Sequence, residues 1–198
     1  KHSHPISLKP TERSVFLKSL PFELTNDQKK ASEEILADIE KPIPMHRLLE
    51  GDVGSGKTVV AALTIYAVAQ RGFQAILMAP TQILAEQHYS TLSHLLEPQH
   101  IQVTLVMGGK TAKHMHPAQV YVGTHALLSK FRDNKHVAFV VIDEQQRFGV
   151  EQRSILTEKN KKEFTPHLLT MTATPIPRTV AQTMYGNIDL SLIQQMPK

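Results

Sequence analysis

The chain has 198 residues, a net charge of +4 at pH 7 and no cysteine. This length fits one large domain, or one domain with a small appendage, and the absence of cysteine excludes disulfides, cysteine-based zinc sites and thiol catalysis. A hydrophobic content of 41% suffices for a sizeable core, and no apolar run approaches the roughly 20 residues of a membrane span, so we expect no membrane partner. The basic charge suits a polyanionic partner without identifying one. The first residues are polar, unlike the apolar core of a signal peptide, and we expect a cytoplasmic protein.

The N-terminal part of the chain differs in composition from the rest. Residues 1–21 are polar and contain several prolines, which is typical of a linker or approach segment, with a short helix around Thr11–Leu20. Residues 22–198 are predicted to form one domain. Its first helix opens with the capping-box pair Thr25 and Gln28.

From residue 45 onward, apolar runs alternate with helical patterns. The predicted strands are Met45–Leu49, Phe73–Ala79, Ile101–Met107, Val120–Gly123, Val137–Ile142, His167–Thr172 and Ile188–Ile193. The predicted helices are Thr58–Gln70, Gln82–Leu96 and Pro177–Tyr185. This alternation predicts an α/β fold with a mostly parallel sheet and helices on both faces. In such folds, ligands bind at the carboxyl ends of the strands.

A phosphate-binding loop is the strongest chemical signal in the sequence. Residues 51–58 match the pattern G-x-x-x-x-G-K-[ST], and they lie between a predicted strand and a predicted helix. Lys57 can place a positive charge on the outer phosphates, and the Thr58 hydroxyl can ligate Mg²⁺. The remaining loop residues can surround a phosphate chain with backbone N–H groups. These loop residues are Gly51, Gly54, Ser55 and Gly56. A glycine-rich turn that contains Gly-Lys-Thr by chance is the alternative, and the full spacing and the flanks disfavour it.

Two further polar motifs follow apolar strands. Asp143 and Glu144 come directly after Val137–Ile142, where one carboxylate can hold Mg²⁺ and its neighbour can deprotonate an attacking water. A solvated turn is the simpler explanation for an isolated Asp-Glu pair, but the upstream phosphate loop favours the catalytic one. Thr172 and Thr174 also follow a predicted strand, where their hydroxyls can hydrogen-bond to the carboxylate motif.

The motifs together resemble those of superfamily-two helicases and translocases, because they occur in the order typical of that group. The stretches are Gly51–Thr58, Ala79–Thr81, Gly123–His125, Asp143–Gly149 and Thr172–Arg178. The last two are similar to those of the RecG family of branched-DNA helicases, with transcription-repair coupling translocases as close relatives. The resemblance implies the first RecA-like lobe of an ATP-dependent DNA helicase, with a P-loop NTPase fold. It also implies ATP and Mg²⁺ as cofactors, with double-stranded and branched DNA and a second RecA-like lobe of the same parent chain as partners.

The resemblance also assigns roles to single residues. Asp143 corresponds to the metal ligand and Glu144 to the catalytic base, while Lys57 and Thr58 contact phosphate and Mg²⁺. Gln28 corresponds to the glutamine that reads adenine, although simple helix capping explains it as well. Further residues correspond to loops that touch nucleic-acid phosphates, namely Pro80, Thr81, Gly123, Thr124 and His125. Others correspond to the network that couples hydrolysis to motion, namely Gln146, Arg147, Thr172, Thr174 and Arg178. For the two arginines, surface ion pairs are the alternative.

One position departs from the family pattern. Gln146 stands where the related helicases have a histidine, and glutamine can exchange hydrogen bonds but cannot be protonated. This departure bears on coupling rather than on nucleotide binding. Gln146 favours one alternative function, a degenerate nucleotide-binding regulatory module. The shared motifs leave a second one open, the motor lobe of a transcription-repair coupling translocase.

Overall fold

The computed structural model describes residues 2–106, 119–131, 134–143, 164–177, 179–180 and 188–197. Seven strands in these ranges form one sheet, in the order β3-β4-β2-β5-β6-β1-β7, and all neighbouring strands are parallel. The strands are β1 His46–Gly51, β2 Gln74–Met78, β3 Val103–Val106, β4 Val120–Gly123, β5 Val137–Asp143, β6 His167–Thr172 and β7 Asp189–Ile193. The helices are α1 Pro10–Ser19, α2 Asn26–Ile39, α3 Lys57–Gln70, α4 Gln82–Leu96 and α5 Ala126–Phe131, with a 3₁₀ turn at Glu97–Gln99.

The predicted α/β fold with a parallel sheet is confirmed. Strands β4 and β6 and helix α4 have the predicted bounds, and the other predicted strands and helices that fall in the described ranges are shifted by a residue or two. Helix α1 begins at Pro10, one residue before the prediction, because proline suits the first position of a helix. The predicted helix Pro177–Tyr185 lies largely outside the described residues. Among the described residues, we find no helix with the length and apolar character needed to cross a bilayer.

The centre of the sheet is covered on both faces. Every residue of β5 is buried, which explains its continuous apolar sequence. Helix α3 is buried from Val59 to Val68, because it packs between the sheet and the helices α2 and α4. This burial anchors the phosphate loop, which lies directly before α3, to the main hydrophobic core of the domain.

The N-terminal segment packs against the domain. Ile6 and Phe16 are fully buried in the main hydrophobic core. The Ile6 amide donates a hydrogen bond of 2.8 Å to the carbonyl oxygen of Ile39, and the Thr165 amide donates one of 2.8 Å to that of His2. The approach segment of the sequence analysis therefore contributes to the core, and the division of the chain at residue 22 stays a prediction.

A buried histidine secures this segment. The imidazole of His167 accepts a hydrogen bond at Nδ1 from the Met45 amide at 3.0 Å, so its proton lies on Nε2, which donates to the carbonyl oxygen of His4 at 2.9 Å. Burial lowers the pKa of His167 below its ordinary value, and it outweighs the hydrogen bond to the His4 carbonyl oxygen, which acts in the opposite direction. The neutral ring thus joins the N-terminal segment to the starts of β1 and β6.

Candidate active site

The phosphate loop connects the end of β1 to the start of α3. Gly54 and Gly56 have φ angles of 81° and 85°, in the left-handed region that favours glycine. Gly56 is also the N-cap of α3, and a Cβ at this position would overlap the side-chain amide of Gln28. The turn therefore requires these glycines for its own conformation and for its contact with α2.

The Lys57 side chain folds back over the loop. Its ammonium donates hydrogen bonds to the carbonyl oxygens of Gly51 at 2.5 Å and Asp52 at 3.0 Å. The charge is thereby held above the backbone that the sequence assigns to phosphate binding. Ser55 is fully buried in the loop, and no described residue hydrogen-bonds to its Oγ. A buried hydroxyl without a partner is unfavourable, and a phosphate oxygen would satisfy it.

Gln28 connects α2 to this loop. The Gln28 Oε1 accepts a hydrogen bond from the backbone amide of Thr25 at 2.9 Å. The backbone amide of Gln28 donates to Thr25 Oγ1 at 3.2 Å, and the two bonds form the predicted capping box. Its Nε2 donates to the carbonyl oxygen of Ser55 at 2.8 Å. The capping role is confirmed, and the adenine contact stays a prediction.

The sheet brings the carboxylate and threonine motifs beside the loop. Asp143, the last residue of β5, is in register with Met171 of β6, and Glu50 of β1 is in register with Thr172. Adjacent strands lie roughly 4.8 Å apart, so Asp143 and the phosphate loop are separated by roughly 10 Å across two strand spacings. A phosphate chain with a metal ion fits that span.

Asp143 has a partner that sequence analysis missed. His88 Nε2 lies 2.6 Å from Asp143 Oδ2, and each side chain is only about one-eighth exposed. His88 is on α4, and 55 positions separate the two residues in the sequence. No local pattern signals such a pair.

A second missed contact joins the loop strand to the threonine motif. The Ile176 amide donates a hydrogen bond of 3.3 Å to Glu50 Oε2 at the end of β1. Within the motif, the Thr174 amide donates to Thr172 Oγ1 at 3.2 Å, and the two hydroxyl oxygens are 3.1 Å apart. The motif predicted to couple hydrolysis to motion thus contacts the strand that carries the phosphate loop.

The predicted nucleic-acid loops meet at the neighbouring strands β2 and β4. The Ala79 amide donates to the carbonyl oxygen of Gly123 at 2.9 Å, which places the loop of Pro80 and Thr81 beside that of Thr124 and His125. Thr81 Oγ1 caps α4 by accepting from the Leu84 amide at 3.2 Å. His125 is exposed, whereas Gly123 is buried and a Cβ there would strike the carbonyl oxygen of Val106. Both loops therefore open from the same edge of the sheet as the phosphate loop.

The remaining predicted site residues lie outside the described residues. They are Glu144, Gln146, Arg147 and Arg178. Their roles stay predictions.

A cavity of about 490 Å³ lies beside the phosphate loop. Its lining includes Phe22, Gln28, Gly56, Thr58 and Pro197. Phe22 is 45% exposed, so part of an aromatic ring in this lining is accessible. An apolar pocket with an aromatic wall and a few polar groups suits a planar base.

The donor set near the loop fits Mg²⁺ held together with phosphates. The Thr58 hydroxyl and the Asp143 carboxylate offer hard oxygen ligands, which this ion prefers. In the described ranges, no group of three or more His, Asp or Glu side chains could hold a metal on its own. Mg²⁺ is commonly bound by one or two protein oxygens together with substrate phosphates and water. Thr58 and Asp143 would supply two such protein oxygens.

Comparisons with known proteins agree with this geometry. Residues 25–183 match the DEAD/DEAH box helicase family. The chain is 47% identical over 190 residues to the ATP-dependent DNA helicase RecG of Aquifex aeolicus, covering 91% of this chain and 24% of that protein. It is 44% identical over 203 residues to the RecG of Haemophilus influenzae, covering 98% of this chain and 29% of that protein. A solved structure of RecG bound to a three-way DNA junction superposes with a TM-score of 0.82 at 39% identity, covering 99% of this chain and 27% of that one. The chain thus spans about a quarter of the length of these relatives.

Proposed function

The chain belongs to the DEAD/DEAH box helicase family, and on this premise we propose that it is the first RecA-like lobe of a RecG-type DNA helicase. One observation carries the proposal: the phosphate loop, Thr172 and Asp143 occupy the carboxyl ends of three adjacent strands. Identities of 44% to 48% to RecG proteins over nearly the whole chain support the RecG branch. They do not favour a transcription-repair coupling translocase.

The lobe binds ATP and prepares it for hydrolysis. The loop N–H groups and Lys57 bind the phosphates, and the buried Ser55 hydroxyl gains an acceptor. Thr58 and Asp143 would hold Mg²⁺, which neutralises the developing phosphate charge when it is bound. Glu144 follows Asp143 directly and takes the proton of the attacking water.

The loops that follow β2 and β4, in which Thr81 and His125 are exposed, bind the DNA backbone. Their hydroxyls and backbone N–H groups suit phosphates rather than base edges, so binding is independent of sequence and sensitive to salt. Coupling to the second RecA-like lobe uses Thr172 and Thr174, with Gln146, Arg147 and Arg178 as further members. The longer protein remodels branched DNA such as stalled forks and Holliday junctions in the cytoplasm.

The isolated lobe is nearly inactive in this proposal. An arginine finger supplied by another lobe can be worth about 10³–10⁵ in rate, and the nucleotide site is completed only between two lobes. The chain alone should therefore bind nucleotide weakly and hydrolyse almost none.

The test is ATP hydrolysis by the full-length protein with and without a three-way DNA junction. Wild type should be stimulated by the junction, Lys57→Ala should lose hydrolysis, and Lys29→Ala, an exposed lysine on α2, should match wild type. A junction-independent rate equal in wild type and Lys57→Ala would instead support the degenerate regulatory module.

A further inference from the structure

The contact between His88 and Asp143 gives His88 a possible function that none of the sequence motifs assigns to it. We propose that His88 is a positioning residue, which fixes the Asp143 carboxylate for the metal and ties it to the helix that begins at a DNA-contact loop. The proposal rests on the proposed function, because it takes Asp143 as the metal ligand and Thr81 as part of the DNA-contact loop.

The direction of the hydrogen bond follows from chemistry. An ionised carboxylate only accepts hydrogen bonds, so the proton lies on His88 Nε2 and is donated to Oδ2 at 2.6 Å. No described residue donates to Oδ1. The imidazole therefore fixes one carboxylate oxygen, and Oδ1 would serve the metal ion or its water. Because both side chains are about one-eighth exposed, little water competes for the contact.

Helix α4 connects the contact between His88 and Asp143 to the DNA-contact loop at Thr81. Thr81 caps the helix at Leu84, and His88 lies one turn beyond Leu84. The seven residue steps from Thr81 to His88 span roughly 10 Å of helix at 1.5 Å per residue. Ala85 and Leu92, on the same helix, are fully buried, which holds α4 against the sheet. A displacement of the loop at Thr81 is therefore transmitted to the imidazole rather than absorbed between them.

The decisive comparison uses two variants of nearly equal size. His88→Gln retains an N–H donor at a similar distance from the backbone, whereas His88→Met has the same length and no donor. Gln87→Ala, an exposed neighbour on α4, is the control. Thermal melting of each variant establishes that it is folded before any other measurement.

The first readout is metal binding without turnover. Mn²⁺ binding in the presence of ADP is followed by electron paramagnetic resonance in the full-length protein. Partners of metal ligands are typically worth 10–100-fold in affinity, so we expect His88→Met to weaken Mn²⁺ binding about tenfold and His88→Gln to stay within about threefold of wild type. Equal Mn²⁺ affinities for the two variants would overturn the positioning role.

The second readout is the ratio of junction-stimulated to basal kcat. We expect His88→Met to lower this ratio about tenfold, the lower end of the range for such partners, with the KM for ATP and the affinity for DNA within about twofold of wild type. An equal fall in basal and stimulated kcat would overturn the link to α4. If wild type itself showed no stimulation, or Lys57→Ala hydrolysed ATP like wild type, the proposed function would fail instead. The Mn²⁺ comparison would still decide the positioning role.

Discussion

The side-chain amide of Gln28 donates a hydrogen bond of 2.8 Å to the carbonyl oxygen of Ser55, across 27 positions of sequence. The same side chain accepts from the Thr25 amide at 2.9 Å. One buried glutamine therefore fixes the start of α2 and the middle of the phosphate loop together. The loop enters α3 through Gly56, whose missing Cβ leaves room for that amide.

Gln28→Ala should destabilise the domain. Removing the side chain leaves the Thr25 amide and the buried carbonyl of Ser55 without their partners, and each loss costs about 1–3 kcal/mol. We expect a total of about 2–6 kcal/mol in the free energy of unfolding, measured by urea denaturation. Lys29→Ala, an exposed neighbour on α2, should change it by less than about 0.5 kcal/mol. Equal midpoints for the two variants would show that the loop does not depend on Gln28.

Glu144→Gln should separate binding from hydrolysis in the full-length protein. The substitution keeps the size of the side chain but removes the base, so ATP binding stays within about threefold while the rate falls about 10²–10⁴-fold. Binding is measured with a fluorescent ATP analogue and turnover by phosphate release. Glu40→Gln, an exposed carboxylate after α2, is the control and should hydrolyse ATP like wild type. Full activity of Glu144→Gln would assign the base elsewhere.

The features that could be predicted from sequence depend on local patterns. Glycine spacing identifies the phosphate loop, and the continuous apolar run of β5 identifies a strand that is covered on both faces, while β6 is recognised from the shorter apolar run Leu168–Leu169. The carboxyl ends of those strands then place Asp143 and Thr172 beside the loop. Each of these steps uses residues close together in the chain.

The contacts that sequence analysis missed join distant positions. His88 and Asp143 are 55 positions apart, and Glu50 and Ile176 are 126 apart. Strand order brings each pair together, because α4 follows β2 beside β5, and Ile176 follows β6 beside β1. This order has no local signal in the sequence. The packing of residues 2–20 was missed for the same reason, because its partners are distant in the chain: the Ile6 amide bonds to the Ile39 carbonyl oxygen, and the Phe16 ring stacks on Tyr66.

Arg47→Met should be destabilising because it breaks a buried charge network. The guanidinium donates to Asp38 Oδ2 from Nη2 at 2.6 Å and from Nε at 3.0 Å, and to Ser191 Oγ at 2.9 Å. It thereby joins β1 to α2 and β7. Removing one partner of a buried pair costs about 3–5 kcal/mol, and we expect about 3 kcal/mol because Lys41 still contacts Asp38.

The pH dependence gives an independent check of this network. Burial raises the pKa of Asp38, but the hydrogen bonds and charges of Lys41 and Arg47 outweigh it and hold the pKa below its ordinary value. A depressed carboxyl pKa stabilises the fold above the unfolded value near 3.8, and this stabilisation is lost as the pH falls through the folded value. Arg47→Met should therefore show a smaller loss of stability on acidification below about pH 4 than wild type. Urea midpoints that fall equally in both proteins would contradict the pairing.

His167 should make the stability of the domain fall as the pH drops below about 6.5, the ordinary pKa of histidine. Burial lowers the pKa of His167 in the folded state, so the unfolded chain binds the proton first. The contribution of His167 to the free energy of unfolding therefore rises with pH and is fully present above about pH 6.5. On acidification it falls by up to about 1.4 kcal/mol per pH unit for one proton. Protonation would also break the bond from the Met45 amide to Nδ1.

His167→Gln cannot be protonated and can exchange the same hydrogen bonds, so its slope should be smaller between about pH 6.5 and 5. Some slope should remain, because burial also lowers the pKa of His46. Urea denaturation across this range measures both slopes, and equal slopes would show that His167 is protonated in the folded protein as readily as in the unfolded chain.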